Sequence, residues 1–167
     1  MTRARAPALF ARHGVLDTPE GRTSAIILLM FPLLERLQRG NTPDRRLARL
    51  TAETFVTDID DCLREMGVGD LSVPKKVKRA AQALGERCLA YRRAAASPEP
   101  VRALADELAA TVPGLDHNAG GAEVLARFTL KSVADLATVP TEKLASALAA
   151  LPDPADAATA SQPETSA

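Results

Sequence analysis

The sequence predicts an all-α protein, a compact bundle of about six to seven helices followed by a disordered C-terminal tail. Hydrophobic residues make up 46% of the 167 residues but aromatic residues only 3%, so the core must be built from aliphatic side chains, which suit packed helices. Apolar residues recur with the helical period along most of the chain, and no segment alternates as a strand would. We therefore expect a helical domain over 1–151 and a separate tail over 152–167.

Capping residues, prolines and glycines indicate where the helices begin and end. Thr18, Pro19 and Glu20 are typical of an N-cap, a first helical residue and an acidic first turn, and the helix they open is expected to stop at Gly40. A short first helix is predicted over 6–12. The other helix starts are indicated by Thr42 with Pro43 and Asp44, Ser72, Ser97 with Pro98 and Glu99, Gly120 with Gly121, and Pro140 with Thr141.

The third predicted helix carries an apolar stripe with a spacing close to 3.6 residues, which is expected to face the core. The stripe consists of Leu47, Leu50, Thr54, Phe55, Ile59, Cys62, Leu63 and Met66. Gly67 is well placed to end this helix in the left-handed conformation. Since Cys62 and Cys88 both fall on apolar stripes, we expect two reduced thiols in the core.

Charge and hydropathy exclude several classes of protein. The 21 basic and 21 acidic residues balance, which argues against generic binding of nucleic acid. The only long apolar run, 24–34, is too short to cross a membrane, which needs about 20 residues, so a buried helix is expected there. The tail holds Asp153, Asp156 and Glu164 but no base, and its remaining small residues cannot bury enough surface to fold.

Residues for catalysis or metal binding are scarce. The only histidines are His13, at the end of the first helix, and His117, in the loop over 113–121. A nucleophile needs a positioned base, usually a histidine, and no cysteine or histidine spacing here is typical of a metal site. No catalytic residue, metal site or cofactor is predicted, and an enzyme that handles lipids or cofactors is disfavoured.

Two groups of misplaced charges meet across the turn at Gly67. Acidic residues at the end of the third helix and basic residues at the start of the fourth both oppose the helix dipole. They are Asp58, Asp60, Asp61 and Glu65 on one side, and Lys75, Lys76, Lys78 and Arg79 on the other. One interpretation is that Asp61 or Glu65 pairs with Lys75 or Arg79. The other is that the basic residues and the helix N-terminus bind a lipid headgroup, a partner's carboxylates or a phosphate.

The amino-acid sequence of this segment resembles that of a known family. The run over 63–71, which includes Arg64, Glu65, Gly67, Gly69 and Asp70, is similar to the signature of the ubiquinol–cytochrome c chaperones, and so are the flanking segments 58–60 and 73–78. The segments 10–15, 17–18 and 21–22 also resemble the stretch that precedes the family's long apolar helix. The resemblance covers 6–95 and, more loosely, 120–152.

The resemblance implies a helical bundle that is not an enzyme and that assists assembly of respiratory complex III. It implies binding of newly made apocytochrome b, or of another complex III subunit, together with a small co-chaperone. Bacterial members are cytoplasmic and peripheral to the inner membrane, and mitochondrial members sit at the inner membrane. The predicted partner-binding residues are Arg64, Glu65, Asp70, Lys75, Lys76, Lys78 and Arg79, and Gly67 and Gly69 form the predicted structural turn.

An alternative function is that of a small helical protein that binds nucleic acid or another anion. It would use Arg45, Arg46 and Arg49 together with the basic residues over 75–79. The neutral net charge and the scarcity of aromatic residues argue against it. Binding to generic DNA that weakens steeply with salt would support it.

Overall fold

The computed structural model describes residues 7–152 and 154, and within them it confirms an all-α bundle. The helices are α1 (Pro7–Ala11), α2 (Pro19–Gln38), α3 (Thr42–Glu65), α4 (Val73–Ala95), α5 (Pro100–Thr111), α6 (Ala119–Ala137) and α7 (Leu144–Ala150). Short 3-10 turns, Leu115–His117 and Thr141–Lys143, precede α6 and α7. The predicted tail over 152–167 lies outside the described residues except at Pro152 and Pro154, so the boundary between domain and tail stays a prediction.

Helix α2 is the centre of the bundle and packs against α3, α4 and α6. Its side chains Ile27, Leu28 and Phe31 are fully buried, which confirms that the apolar run over 24–34 belongs to the core. The edge of the Phe31 ring meets Tyr91 of α4, with ring centroids 5.6 Å apart and ring planes at 84°. None of the described helices is long and apolar enough to cross a membrane.

The helix starts follow the predicted signals with four shifts, one of which is that α7 begins at Leu144, after the 3-10 turn over 141–143. Thr18 caps α2 as predicted, because its hydroxyl accepts a hydrogen bond from the Gly21 N–H at 3.1 Å. The cap of α3 is Asn41 instead of Thr42, since the Asn41 side chain accepts from the N–H of Asp44 at 3.0 Å.

The other two shifts have local causes. Helix α5 begins at Pro100 and not beside Ser97, because Glu99 precedes a proline and is thereby kept out of the helical conformation. Asn118 caps α6, so Gly120 and Gly121 lie inside its first turn instead of ahead of it.

The predicted core stripe of α3 is largely wrong. Leu47, Leu50, Cys62 and Met66 are exposed. Phe55 of the predicted stripe is buried as predicted, and it forms the buried face of α3 together with Asp44 and Ala48. Helix α3 packs mainly against α2 and α4, and the hydrogen bonds of Asp44 turn that side of the helix inward. Cys88 of α4 is buried as predicted, and burial raises the pKa of its thiol to about 11.

Buried ion pairs join α2 to its neighbours. The carboxylate of Glu35, which is almost fully buried, accepts a hydrogen bond from Arg92 Nε of α4 at 2.7 Å and from Arg39 Nε at 2.8 Å. Arg36 donates to Asp44 of α3 and, through Nε, to the Val139 carbonyl at 2.9 Å. These bonds fix where α3, α4 and the chain ahead of α7 lie against α2.

Candidate functional site

Helix α3 ends in a Schellman motif that turns the chain toward α4. Gly67 has φ of +73°, the left-handed conformation that the sequence predicts at this position. Its N–H donates to the Arg64 carbonyl at 2.9 Å, and the N–H of Val68 donates to the Leu63 carbonyl at 3.1 Å. Both bonds satisfy carbonyls that the end of a helix leaves free.

Residues 66–72 connect α3 to α4 and are called the tip. The carbonyl of Gly69 accepts hydrogen bonds from the N–H groups of Ser72 at 2.8 Å and Val73 at 3.3 Å. Val73 is fully buried, while the Leu71 side chain is 99% exposed. Ser72 occupies the N-cap position of α4 as predicted, but its side chain forms no capping hydrogen bond.

The acidic residues of α3 do not neutralise the basic residues of α4. Arg64 instead binds one acid of α3, with its Nε 2.7 Å from Asp60, and one acid beyond that helix, with its Nη1 3.0 Å from Asp70. Across 7–152 no carboxylate lies within 4 Å of the basic groups of Lys75 or Arg79, so the predicted pairing with Asp61 or Glu65 is wrong. Arg64 lies one helical turn from Asp60 and competes with the more distant bases of α4.

The four basic residues of α4 divide into two pairs, which point in different directions. All four are exposed and have no hydrogen-bond or ion-pair partner among the described residues. Lys76 and Arg79 lie three positions apart and face α2 and α3. Lys75 and Lys78 form a second pair, which lies outside this face.

A groove of about 360 Å³ opens between the N-terminal part of α2, the C-terminal part of α3 and the first turns of α4. Its floor is apolar and consists of Ile59, Leu63, Met66, Val68, Ala80 and Ala83. The start of α2 forms the opposite wall with Pro19, Glu20, Thr23 and Ser24. Three basic side chains, Lys76, Arg79 and Arg87, complete the lining.

Arg87 is held rigidly at the inner edge of the groove. Its Nη1 donates to the Ser24 hydroxyl at 2.7 Å and its Nη2 to the Thr111 carbonyl at 2.8 Å. Ser24 is buried and donates in turn to the Glu20 carbonyl at 2.8 Å. The partners of Arg87 are neutral, so its positive charge adds to those of Lys76 and Arg79.

Sequence reasoning missed this groove, although part of its signal was visible. Ile59, Leu63 and Met66 were recognised as an apolar stripe and assigned to the core, whereas they line an open groove. Arg87 carried no signal, since its partners Ser24 and Thr111 are distant in sequence. Of the predicted partner-binding residues only Lys76 and Arg79 reach the groove.

The groove is suited to binding an apolar segment that carries negative charge. Aliphatic side chains can leave water against its floor, and three basic groups without carboxylate partners can receive a carboxylate or phosphate. The histidines lie elsewhere: His13 is buried, and His117 is exposed beside Asp116 at 3.0 Å. Over the described part of the chain, no three His, Cys, Asp or Glu residues are grouped so that they could hold a metal ion.

Comparison with known families identifies the chain. The profile of the family described as ubiquinol–cytochrome C chaperone matches residues 11–151, which include the groove and the tip. The chain belongs to the ubiquinol–cytochrome c chaperone family. The resemblance seen in the sequence is thereby confirmed, and the groove is a feature of a chaperone-family member.

A solved structure of a relative supports the assignment. The crystal structure of the Cbp3 homolog from Brucella abortus superposes with a TM-score of 0.73 at 31% sequence identity, covering 90% of this chain and 81% of that chain. A search of the curated proteins found no match. The helical bundle of this chaperone-family member is thus shared with the Brucella protein.

Proposed function

We propose that this chaperone-family member assists assembly of respiratory complex III by holding newly made cytochrome b. The observation that carries the proposal is the groove between α2, α3 and α4. Its floor is apolar, and three basic residues without carboxylate partners border it. The family to which the chain belongs supports the same role. A client seated there would place apolar side chains on the floor and a carboxylate beside Lys76 and Arg79.

The groove suits part of an apolar client more than a whole transmembrane helix. Its volume of about 360 Å³ lies near the lower end of the range of roughly 300–1,000 Å³ that ligand pockets occupy. Such a space takes a few side chains, so each contact is weak and reversible. Basic groups at the rim steer an acidic client segment and make its release sensitive to charge. Reversibility is what a chaperone requires, because the client must move on to assembly.

The proposed role is that of a binding protein without catalytic activity. Its proposed partners are apocytochrome b or another complex III subunit, together with a small co-chaperone. We place it in the bacterial cytoplasm, peripherally associated with the inner membrane; a mitochondrial member would sit at the mitochondrial inner membrane.

The proposal is tested by capturing the tagged, full-length protein from its own cells after gentle solubilisation of membranes, followed by mass spectrometry. The wild-type protein should retain cytochrome b. Lys76→Glu with Arg79→Glu, which reverses the rim charge, and Ala83→Phe, which fills the groove, should each reduce recovery about tenfold, equivalent to about 1.4 kcal/mol.

Lys75→Glu with Lys78→Glu is the matched control, because it makes the same change of charge outside the groove. Recovery in detergent should equal that of the wild type, and thermal melting should show that every variant is folded. Full recovery with the folded groove variants would refute the groove as the client site. Absence of cytochrome b from the wild-type capture would refute the client.

A further inference from the structure

Leu71 of the tip, together with Lys75 and Lys78 of α4, forms a second surface outside the groove. Leu71 is 99% exposed, and no other large apolar side chain in the described chain is comparably exposed. Lys75 and Lys78 lie three and six positions beyond the N-cap residue Ser72. Both are exposed and share one face of α4. Neither lysine has an ion-pair partner in the part of the chain that the structure describes.

The exposure of Leu71 is imposed by an ordered backbone. The Schellman motif at Gly67 holds one end of the tip, and the hydrogen bonds to the Gly69 carbonyl hold the other. Val73, only two residues after Leu71, is fully buried and anchors the start of α4. The fold therefore holds Leu71 in solvent instead of letting it turn inward.

We propose that the tip docks onto a bilayer surface that contains anionic lipids. Leu71 enters the boundary between headgroups and acyl chains, while Lys75 and Lys78 lie against lipid phosphates. The proposal deepens the membrane-associated role proposed above and identifies the surface responsible. It concerns residues outside the groove, so it can fail or hold independently of the client.

The shape of the tip favours lipid over a protein partner. A single leucine at a convex turn offers little area, and a stable protein interface needs roughly 800 Å² from each partner. A fluid bilayer accepts an isolated apolar side chain without a complementary pocket. The combination of one inserted apolar residue and adjacent lysines matches the two kinds of attraction that act at an anionic membrane surface.

The charges around the tip set its orientation on the membrane surface. Asp70, the only acid in the tip, is already bound by Arg64 at 3.0 Å. Asp61 and Glu65 are exposed on α3 without basic partners among the described residues, so that face is repelled by anionic headgroups. The first turn of α4 has no acidic residue and no side-chain cap, so its partial positive charge adds to that of the lysines. The α4 side of the tip therefore faces the membrane.

Binding is measured by co-sedimentation of the full-length protein with vesicles of phosphatidylcholine alone or mixed with phosphatidylglycerol. The wild type should bind the mixed vesicles, and the binding should weaken as salt is added. Leu71→Asp, and separately Lys75→Glu with Lys78→Glu, should each lower the partition coefficient about tenfold or more. Leu50→Asp, and Arg46→Glu with Lys143→Glu, are the matched controls at exposed positions elsewhere and should bind as the wild type does.

Fluorescence gives an independent readout, because the chain has no tryptophan. Leu71→Trp should show a blue shift and quenching by brominated lipid when mixed vesicles are added, and Leu50→Trp should not. Equal vesicle binding by the tip variants and the wild type, or no shift at position 71, would overturn the proposal. If the wild-type protein does not bind vesicles and the tip variants lose cytochrome b in detergent, the tip is a contact for a protein. That result would also overturn the proposal.

Failure of lipid docking and failure of the proposed function give different results. The groove variant Ala83→Phe should lose cytochrome b in detergent but keep its binding to vesicles. The tip variant Leu71→Asp should keep cytochrome b in detergent but lose its binding to vesicles. Loss of vesicle binding by Ala83→Phe as well as by Leu71→Asp would mean that the two surfaces are one, and would overturn the proposal of a separate lipid surface.

Discussion

Arg36 and Asp44 form an almost buried ion pair between α2 and α3, with Arg36 Nη1 3.1 Å from Asp44 Oδ2. The other carboxylate oxygen accepts a hydrogen bond from the Thr141 hydroxyl at 2.6 Å. Asp44 therefore links the central helix, the start of α3 and the 3-10 turn ahead of α7. One carboxylate thus joins two consecutive helices to a turn that lies 97 positions further along the chain.

This arrangement predicts a stability that depends on pH. The hydrogen bond from Thr141 and then that from Arg36 lower the pKa of the Asp44 carboxyl below its ordinary value. The stabilisation of the folded protein by the Asp44 carboxylate is therefore complete above the unfolded-state pKa of about 3.9. It is lost as the pH falls through the folded-state pKa. We expect Asp44→Asn to melt at a lower temperature than the wild type at pH 7, with the difference shrinking as the pH is lowered through this range.

Asp17→Asn is the control for this prediction. Asp17 pairs with Arg22 at 2.6 Å, but both side chains are more than half exposed, so the pair adds little to stability. Its melting temperature should follow that of the wild type across the pH range. A difference for Asp44→Asn that does not change with pH would contradict the role assigned to the carboxylate.

Gly67→Val should destabilise the protein by about 1–2 kcal/mol, because a β-branched residue resists the left-handed conformation. A Cβ at Gly67 would meet no atom within 4 Å, so the effect comes from the backbone alone. Chemical denaturation measures it, with Gly69→Ala as the control because Gly69 has neither positive φ nor a close neighbour. Equal midpoints for Gly67→Val and the wild type would show that φ at this position is not constrained.

The orientation of α3 can be tested with adjacent residues. Ala48→Glu should lower the free energy of unfolding by several kcal/mol, because it places a charge where the side chain is 5% exposed. Leu47→Glu should change it by less than about 0.5 kcal/mol, since Leu47 is 41% exposed. The reverse order in urea denaturation would mean that the apolar stripe read from the sequence faces the core after all.

The two cysteines should differ in their reactivity. Cys62 is exposed, whereas Cys88 is buried with its pKa raised to about 11, so little thiolate forms at Cys88 at neutral pH. A maleimide at pH 7 should label the native protein once and the denatured protein twice, as measured by mass spectrometry. Cys62→Ser should abolish labelling of the native protein, and rapid labelling of that variant would contradict the burial of Cys88.

Local signals explain what could be predicted. Thr18 and Gly67 act within one turn of a helix, so a cap or a left-handed end is visible in a few neighbouring letters. The apolar run over 24–34 was long and apolar all round, so its place in the core followed from the sequence. The signature over 63–71 indicated the family without any geometry, and the family match confirms it.

Contacts between distant segments explain what could not be predicted. The stripe of α3 was read by its period, but the period cannot tell which face is covered when polar groups such as Asp44 bind inside the bundle. The charges over 58–79 were recognised, yet their pairing depended on the reach of Arg64. The contact of Arg87 with Ser24 spans 63 positions and left no local pattern.

The sequence by itself determined the helices, the left-handed turn at Gly67, the burial of the apolar run over 24–34 and the family, because each rests on short-range periodicity, caps or a contiguous motif. Only the tertiary structure decided that Lys76 and Arg79 line a groove while Lys75 and Lys78 lie outside it. Adjacent residues on a helix point about 100° apart, so which of them meets another helix depends on the rotation of α4 in the bundle. That rotation is set by packing against α2, α3 and α5, which no short stretch of the sequence records.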